Sequence, residues 1–317
     1  MPHPFEPHPL LRGPHRQTLF GAFGLSAPEV AFRPERFELP DGDFVDLEHA
    51  GPERGPRAIL LHGLGGNVRS GYLRMLAATL VARGWAVTAF QFRGASETPN
   101  RTPRLYHSGD TADIALVAAA LRTRTPWLPL VAIGFSLGGN VLLKLLGETG
   151  PDAPLDAGVA VSVPFMLDVA ADRLARGASQ VYGRFLLAQL KRRLRAARAR
   201  MQAHVDLGAA LAARDFRTWD ALVTAPLGGF ASADDYYARA SSRAFVGRIA
   251  RPTLVLHALD DPFMTAACVP TTAEIAPAVE LEAHAHGGHV GFIERGPRGL
   301  PRGFVDRRVA EWLESHK

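Results

Sequence analysis

The sequence of 317 residues predicts an α/β architecture, with a mostly parallel central sheet flanked by helices and a helical lid inserted before the penultimate strand. Three observations carry that prediction. Short apolar runs alternate with longer amphipathic ones, as when helices cover a parallel sheet. One apolar run, Val131–Gly134, leads through Phe135-Ser136-Leu137-Gly138 directly into a helix-like run. A long interval, from Phe165 to about Ala250, contains no convincing strand.

The first strands are expected at Arg36–Leu39 and Phe44–His49, joined by Pro40-Asp41-Gly42-Asp43. Asp-Gly favours the tight turn of a hairpin, because both residues tolerate positive φ. Strands are then expected at Ala58–Leu61, Ala86–Phe90, Val131–Gly134, Ala157–Val161, Thr253–His257 and Val279–Glu282. Strands so short and continuously apolar are buried on both faces. Helical patterns cover about Val68–Arg83, Asp110–Arg122 and Leu137–Glu148, and a last helix covers about Val305–Ser315. The N-terminal arm, about residues 1–30, is semi-apolar and punctuated by proline, and reads as an extended segment packed across the core. Its histidines, His3, His8 and His15, are expected on the surface rather than as metal ligands.

The domain division follows. Residues 1–164 and 251–317 form the core, and residues 165–250 form the lid, with Arg251-Pro252-Thr253 marking the return to strand. Open α/β sheets bind ligands at the carboxyl ends of their strands, and a long insertion there reads as a cover for that site. A structural appendage remote from the site is the alternative. Within the insertion Leu187, Leu190, Leu194, Ala197 and Met201 form one apolar stripe, with Arg184, Lys191, Arg195 and Arg198 on a neighbouring face. A solvated helix face accounts for these charges most simply. The sharper reading is weak contact of Lys191, Arg192, Arg195 and Arg198 with an anionic membrane surface. Nucleic acid is not expected as a partner, because the basic run lacks interleaved aromatics and no binding motif accompanies it.

Composition narrows the class. Hydrophobic residues make up 47% and charged residues 21%, enough apolar material for a large core. The formal charge of +5 permits contact with anionic surfaces without requiring it. The one cysteine, Cys268, allows no disulfide within the chain, and this fits a cytoplasmic location. Cys268 stands among small apolar residues and is expected to be buried. The N-terminus has neither the basic nor the apolar region of a secretory signal, and no apolar run is long enough to span a bilayer.

The chemistry centres on Gly134-Phe135-Ser136-Leu137-Gly138. Between strand and helix this pattern forces the serine into a strained turn, with its hydroxyl above the sheet. A serine hydroxyl needs a base within reach, and the base needs an orienting carboxylate. In this arrangement the chain order is nucleophile, acid, histidine. The acid candidate follows the strand Thr253–His257, in Ala258-Leu259-Asp260-Asp261-Pro262. Asp261 is chosen, three residues after Ala258 and before the proline, and Asp260 remains the alternative. The base candidate is His289, just after Gly287-Gly288, with His284 and His286 competing on residue type. The spacing of these histidines raises a metal site, but a serine nucleophile needs none. For the oxyanion, Leu61-His62-Gly63-Leu64-Gly65-Gly66 is a glycine-rich turn after the third strand. The backbone N–H of Leu64 is the expected donor, paired with the N–H of Leu137. The same turn lacks the Gly-Lys-Ser/Thr ending of a P-loop. His62 reads as a support for the turn.

Together these segments resemble the α/β-hydrolases, and more narrowly their YheT-like branch of hydrolases and carboxylesterases. The resemblance runs through Gly13-Pro14-His15-Arg16-Gln17-Thr18, His62-Gly63-Leu64-Gly65-Gly66, Phe92-Arg93-Gly94 and Tyr106-His107-Ser108-Gly109-Asp110-Thr111. It continues through Gly134–Asn140, Val161–Phe165, Ser179-Gln180-Val181-Tyr182, Thr224-Ala225-Pro226, Asp235-Tyr236-Tyr237, Ala258–Met264 and Gly287–Phe292. Gly13 stands where relatives often carry asparagine. The resemblance implies an α/β-hydrolase fold and a charge relay of Ser136, Asp261 and His289. Arg93, Tyr106 and His107 also match, as buried supports or as substrate contacts. The expected function is cleavage of a small-molecule carboxylic ester through an acyl-enzyme, with no cofactor and no metal. Acyl transfer or thioester cleavage on the same residues, or a binding protein on a hydrolase scaffold, are the alternatives.

Overall fold

A computed structural model of the chain describes residues 5–316. Eight strands, β1 (Arg33–Glu38), β2 (Phe44–Ala50), β3 (Arg57–Leu61), β4 (Ala86–Gln91), β5 (Leu130–Phe135), β6 (Ala157–Val161), β7 (Thr253–Ala258) and β8 (Val279–His284), form one sheet. Their order is β1-β2-β4-β3-β5-β6-β7-β8. β2 runs antiparallel to β1 and β4, and every other neighbouring pair is parallel. The β1–β2 hairpin closes at Glu38↔Phe44, where the Asp41 carboxylate accepts from Asp43 N–H at 3.1 Å.

Side-chain alternation divides the core in two. Ala58, Leu60, Ile133, Val159 and Leu256 face one side, with α2 (Gly71–Ala82) and the C-terminal helix α12 (Val305–Glu314) packed on them. Ile59, Leu61, Ala132, Ala160 and Val255 face the other, under α3 (Ala112–Arg124) and α4 (Leu137–Thr149). The expectation of strands buried on both faces fails at both edges of the sheet: β1 has no buried residue, and in β8 Val279 alone is buried. The buried Arg93 guanidinium binds both oxygens of Asp113, at 2.6 and 2.8 Å, and reaches Asp41 at 2.6 Å. It thereby ties the hairpin turn to α3.

The N-terminal arm differs from the extended reading. Only its first part is extended, with Pro7 bridging to Glu294. After a single turn at Pro9–Leu11, residues Pro14–Phe23 form a helix, α1. Proline breaks a helix interior but starts one well at its first position, where its missing N–H would have had no partner. His8 is buried rather than on the surface, with its side chain hydrogen-bonded to Gly299 O at 3.0 Å and accepting from Leu10 N–H. His15 is half-buried against Tyr182, and His3 lies outside the described residues. A short ribbon, β9 (Ile293–Arg295) with β10 (Pro301–Gly303), carries no sequence pattern that announces it.

Between β6 and β7 the chain is helical. It forms α5 (Leu167–Leu174), α6 (Gln180–Ala196), α7 (Arg198–Met201), α8 (Leu207–Ala212), α9 (Phe216–Trp219), α10 (Ala225–Gly228) and α11 (Ala233–Ala240). The stripe Leu187, Leu190, Leu194, Ala197 and Met201 is buried as its periodicity predicts, in a separate core with Trp219, Val223 and Tyr237. A π-helical turn, Asp220–Thr224, follows α9. There the buried Asp220 carboxylate accepts from Thr224 Oγ1 at 2.6 Å and from the Tyr237 hydroxyl at 2.8 Å. No cation pairs with it among the described residues, and burial pushes its pKa up to about 6.

A carboxyl held above its unfolded pKa favours the fold most when protonated, so its contribution declines as pH rises through about 4 to 6 and is flat beyond. Asp220→Asn cannot ionise. Its melting temperature should therefore gain on the parent between about pH 5 and pH 8, by the equivalent of about 1 kcal/mol. A difference that stays constant across that range contradicts the account.

Candidate active site

β5 and α4 meet at Ser136 in close contact. A Cβ on Gly134 would lie 2.3 Å from Gly138 O, and one on Gly138 would lie 2.6 Å from Leu61 O, so neither position accepts a side chain. The chain reverses between them with Ser136 at φ 51° and ψ −116°. That conformation is strained for a residue with a Cβ. Hydrogen bonds hold it: Ser136 N–H donates to Val161 O at 2.8 Å, and Asn140 N–H donates to Ser136 O at 3.0 Å. The side chain of Asn140 donates to Ser108 O and Ala240 O and accepts from Ser242 N–H, joining α4 to the end of the helical insertion.

The loops after β7 and β8 bring the other two candidates to the same rim. His289 Nε2 lies 3.0 Å from Ser136 Oγ, and its Nδ1 lies 2.8 Å from Asp261 Oδ2. Asp261 is buried, and His289 is half-buried, with its side chain 9% exposed. An imidazole so placed can take the Oγ proton while the carboxylate holds the Nδ1–H. Asp260, the alternative acid, instead accepts from Gly288 N–H at 2.9 Å and meets the exposed His286 at 3.3 Å. It shapes the histidine loop. His284 packs edge-on against Phe5, Phe292 and Phe304.

Four supports of His289 were not legible as such. The Phe263 ring stacks on the imidazole, with centroids 3.8 Å apart and planes 10° from parallel. Thr18 Oγ1, on α1, accepts from His289 N–H at 2.9 Å. Gln17 accepts from Ile293 N–H and donates to Ile293 O, gripping the chain just beyond. Ser162 Oγ accepts from Val290 N–H at 3.0 Å. Ser162, Val290 and Phe292 all have positive φ, which no local sequence signal predicts. For the arm residues the only signal was the Gly13–Thr18 segment of the family resemblance.

The glycine-rich turn lies beside the serine: a Cβ on Gly63 would be 3.3 Å from Ser136 Cβ. His62, fully buried, bonds Gly63 O at 2.8 Å through Nδ1 and accepts from Phe92 N–H through Nε2. Burial pushes its pKa down to about 3, so it is neutral and structural. Gly63 N–H donates to the Tyr72 hydroxyl and Gly65 N–H to the Tyr106 hydroxyl, each at 2.9 Å. The N–H groups of Leu64 and Leu137 have no acceptor among the described residues. From the insertion, Arg193 donates to Gly94 O at 2.8 Å, to Gly66 O at 3.0 Å and to Gly65 O at 3.3 Å. Its guanidinium also lies over the Tyr106 ring. Arg193 belongs to the basic run, but it points inward, away from the solvated face.

Ser136 and His289 open into a cavity of about 420 Å³. Its walls are mainly apolar: Leu19 and Phe23 of α1, Leu167, Ala171 and Leu174 of α5, Leu186 and Leu190 of α6, and Trp219 and Val223. Tyr106 and His107, left open between support and substrate contact, line the cavity and also accept hydrogen bonds from the backbone N–H groups of Gly65 and Gly109. Arg93 is a buried support. Cys268 is buried and free. In the basic run Arg192, Arg195 and Arg198 are exposed, whereas Lys191 turns to Ala213 O. Among the described residues no helix is long and apolar enough to cross a membrane.

Comparison with known proteins matches this architecture. The family model described as the alpha/beta hydrolase fold covers residues 56–296. The protein "Putative esterase YheT" of Escherichia coli (strain K12) is 40% identical over 95% of this chain and 90% of its own length. "Phospholipase ABHD3" of Mus musculus is 29% identical over 88% of this chain and 70% of its own length. Among solved structures, the Pyrococcus furiosus esterase Pf2001 superposes with a TM-score of 0.59, at 19% identity, over 90% of this chain and 91% of that one. That likeness concerns the fold. The chain belongs to the α/β-hydrolase fold family and is YheT-like within it.

Proposed function

We propose that the chain is a serine hydrolase that cleaves carboxylic esters through an acyl-enzyme. The observation that carries this reading is the unbroken hydrogen-bonded path Ser136–His289–Asp261 at the floor of an apolar cavity. Relatives named as an esterase and a phospholipase support the same class. His289 takes the proton of Ser136 Oγ as it attacks the acyl carbon, and Asp261 holds the imidazolium that forms. The amides of Leu64 and Leu137, which have no other acceptor among the described residues, receive the oxyanion, and the positive end of α4 adds to that field. His289 then protonates the departing alcohol, and water enters by the same base to release the acid. The helical insertion, residues 165–250, acts as the lid whose apolar underside holds the acyl chain. The substrate is an ester with a substantial apolar part, since polar groups are sparse on the cavity wall. The free Cys268 supports a reducing, cytoplasmic setting.

Two outcomes test this. Ser136→Ala should lower turnover of p-nitrophenyl esters by a factor of about 10⁴ or more, and Asp261→Asn by a similar factor, with melting temperatures near that of the parent. Turnover retained in a folded Ser136→Ala protein rejects the assignment. The second outcome concerns Arg193 as a positioning residue for the Leu64 amide. Arg193→Met should lower kcat by roughly 10- to 100-fold with little change in KM, less than the full loss of an oxyanion donor. Arg193→Lys should recover part of it. An effect confined to melting temperature would make Arg193 a purely structural tie.

A further inference from the structure

We propose that the mouth of the cavity is a docking face for an anionic phospholipid surface, built from α1 and α6 together. This rests on the ester-hydrolase reading for its purpose, because it names where that site meets its substrate. Nine large apolar side chains are exposed among the described residues, and four of them ring one opening. Leu19 and Phe23 of α1 are 48% and 75% exposed, and Val181 and Phe185 of α6 are 68% and 54% exposed. All four also line the cavity that holds Ser136. Each pair is spaced i, i+4, so each lies on one side of its helix. The two helices meet at His15 and Tyr182, whose Nδ1 and hydroxyl are 3.0 Å apart and whose rings stack. The apolar rim is therefore continuous from helix to helix and runs into the cavity.

The charge around the rim selects the partner. On α6 the exposed residues Val181, Phe185, Ala188 and Arg192 recur at i, i+4, i+7 and i+11, with Arg184 and Arg195 beside that ridge. On α1, Arg16 lies one turn before Leu19 and is exposed, as is Arg12 just ahead of the helix. None of Arg12, Arg16, Arg184, Arg192 and Arg195 has an acidic partner among the described residues, whereas Arg93, Arg217, Arg243 and Arg307 elsewhere do. An aromatic and aliphatic rim with unpaired guanidinium groups around it matches the acyl boundary and the anionic headgroups of a bilayer surface. The basic face read from sequence is thus redrawn. Lys191 is committed to Ala213 O and Arg198 lies beyond the end of α6, while Arg16 and the aromatic rim join Arg192 and Arg195. An ester of a membrane lipid would reach Ser136 from this face without crossing open water.

Vesicle flotation tests the proposal in the Ser136→Ala protein, where no turnover occurs, so failure to dock and failure to hydrolyse are read separately. The vesicles are phosphatidylcholine alone or with about 30% phosphatidylglycerol. The protein should float with the mixed vesicles and bind pure phosphatidylcholine at least about tenfold more weakly. The double variant Phe23→Ser/Phe185→Ser should lose about tenfold or more in partitioning into the mixed vesicles, and Arg16→Gln/Arg192→Gln should lose several-fold. All are exposed positions, and an unchanged melting temperature confirms each fold. Absence of flotation, equal flotation of the parent and the double phenylalanine variant, or equal binding to both vesicle types overturns the proposal. So does a dimer that the phenylalanine variant dissolves without any vesicle binding, which would assign the rim to a second copy of the chain.

Discussion

The left-handed backbone at Ser136 is the constraint on which the rest of the structure depends. It exists because β5 and α4 approach so closely at Gly134 and Gly138 that the chain has only one tight way round. A non-glycine residue in that conformation costs about 1–3 kcal/mol and persists only where its surroundings over-determine it. Here they do, through bonds to Val161 and Asn140 and through the glycine-rich turn packed against the serine. The hydroxyl is thus presented at the carboxyl ends of the parallel strands. Any partner must then come from a loop at that same rim, as the loops after β7 and β8 do.

Strain of the same kind recurs around the histidine. Ser162, Val290 and Phe292 all have positive φ, and each neighbours a hydrogen bond that fixes the loop carrying His289. The N-terminal helix enters the site through this loop. Gln17 and Thr18 hold residues 289 and 293 across more than 270 positions of sequence. The helical insertion enters through the other wall, where Arg193 ties the glycine-rich turn and Ser179 donates to Pro262 O beside Asp261. Core, arm and insertion therefore share one polar framework, and the cavity is the space they leave. Movement of α6 would move Arg193, and with it the turn that carries Leu64.

Sequence was most informative where a local rule has one structural answer. The strand-turn-helix at Ser136 and the stripe from Leu187 to Met201 are of that kind, since close packing or a helical period dictates each. Asp261 was separable from Asp260 by its place after Ala258 and before Pro262, and the two carboxylates do face different groups. What stayed hidden depends on contacts between distant segments. Proline in the arm suggested extended chain, although Pro14 starts α1. The inward turn of Arg193 is a tertiary fact, invisible in a run of six basic residues among ten. The ribbon of β9 and β10 is too short and too polar to carry a period, and His8 is buried only because Gly299 comes round to meet it.

The central claim is that Ser136 alone is activated by its neighbours. Reaction of the folded protein with a fluorophosphonate, followed by mass mapping of its peptides, reads this most directly. A single adduct on the peptide containing Ser136, lost when His289 is replaced by alanine, is the result predicted. An adduct on another residue, or none in a protein that melts cooperatively, would contradict the account.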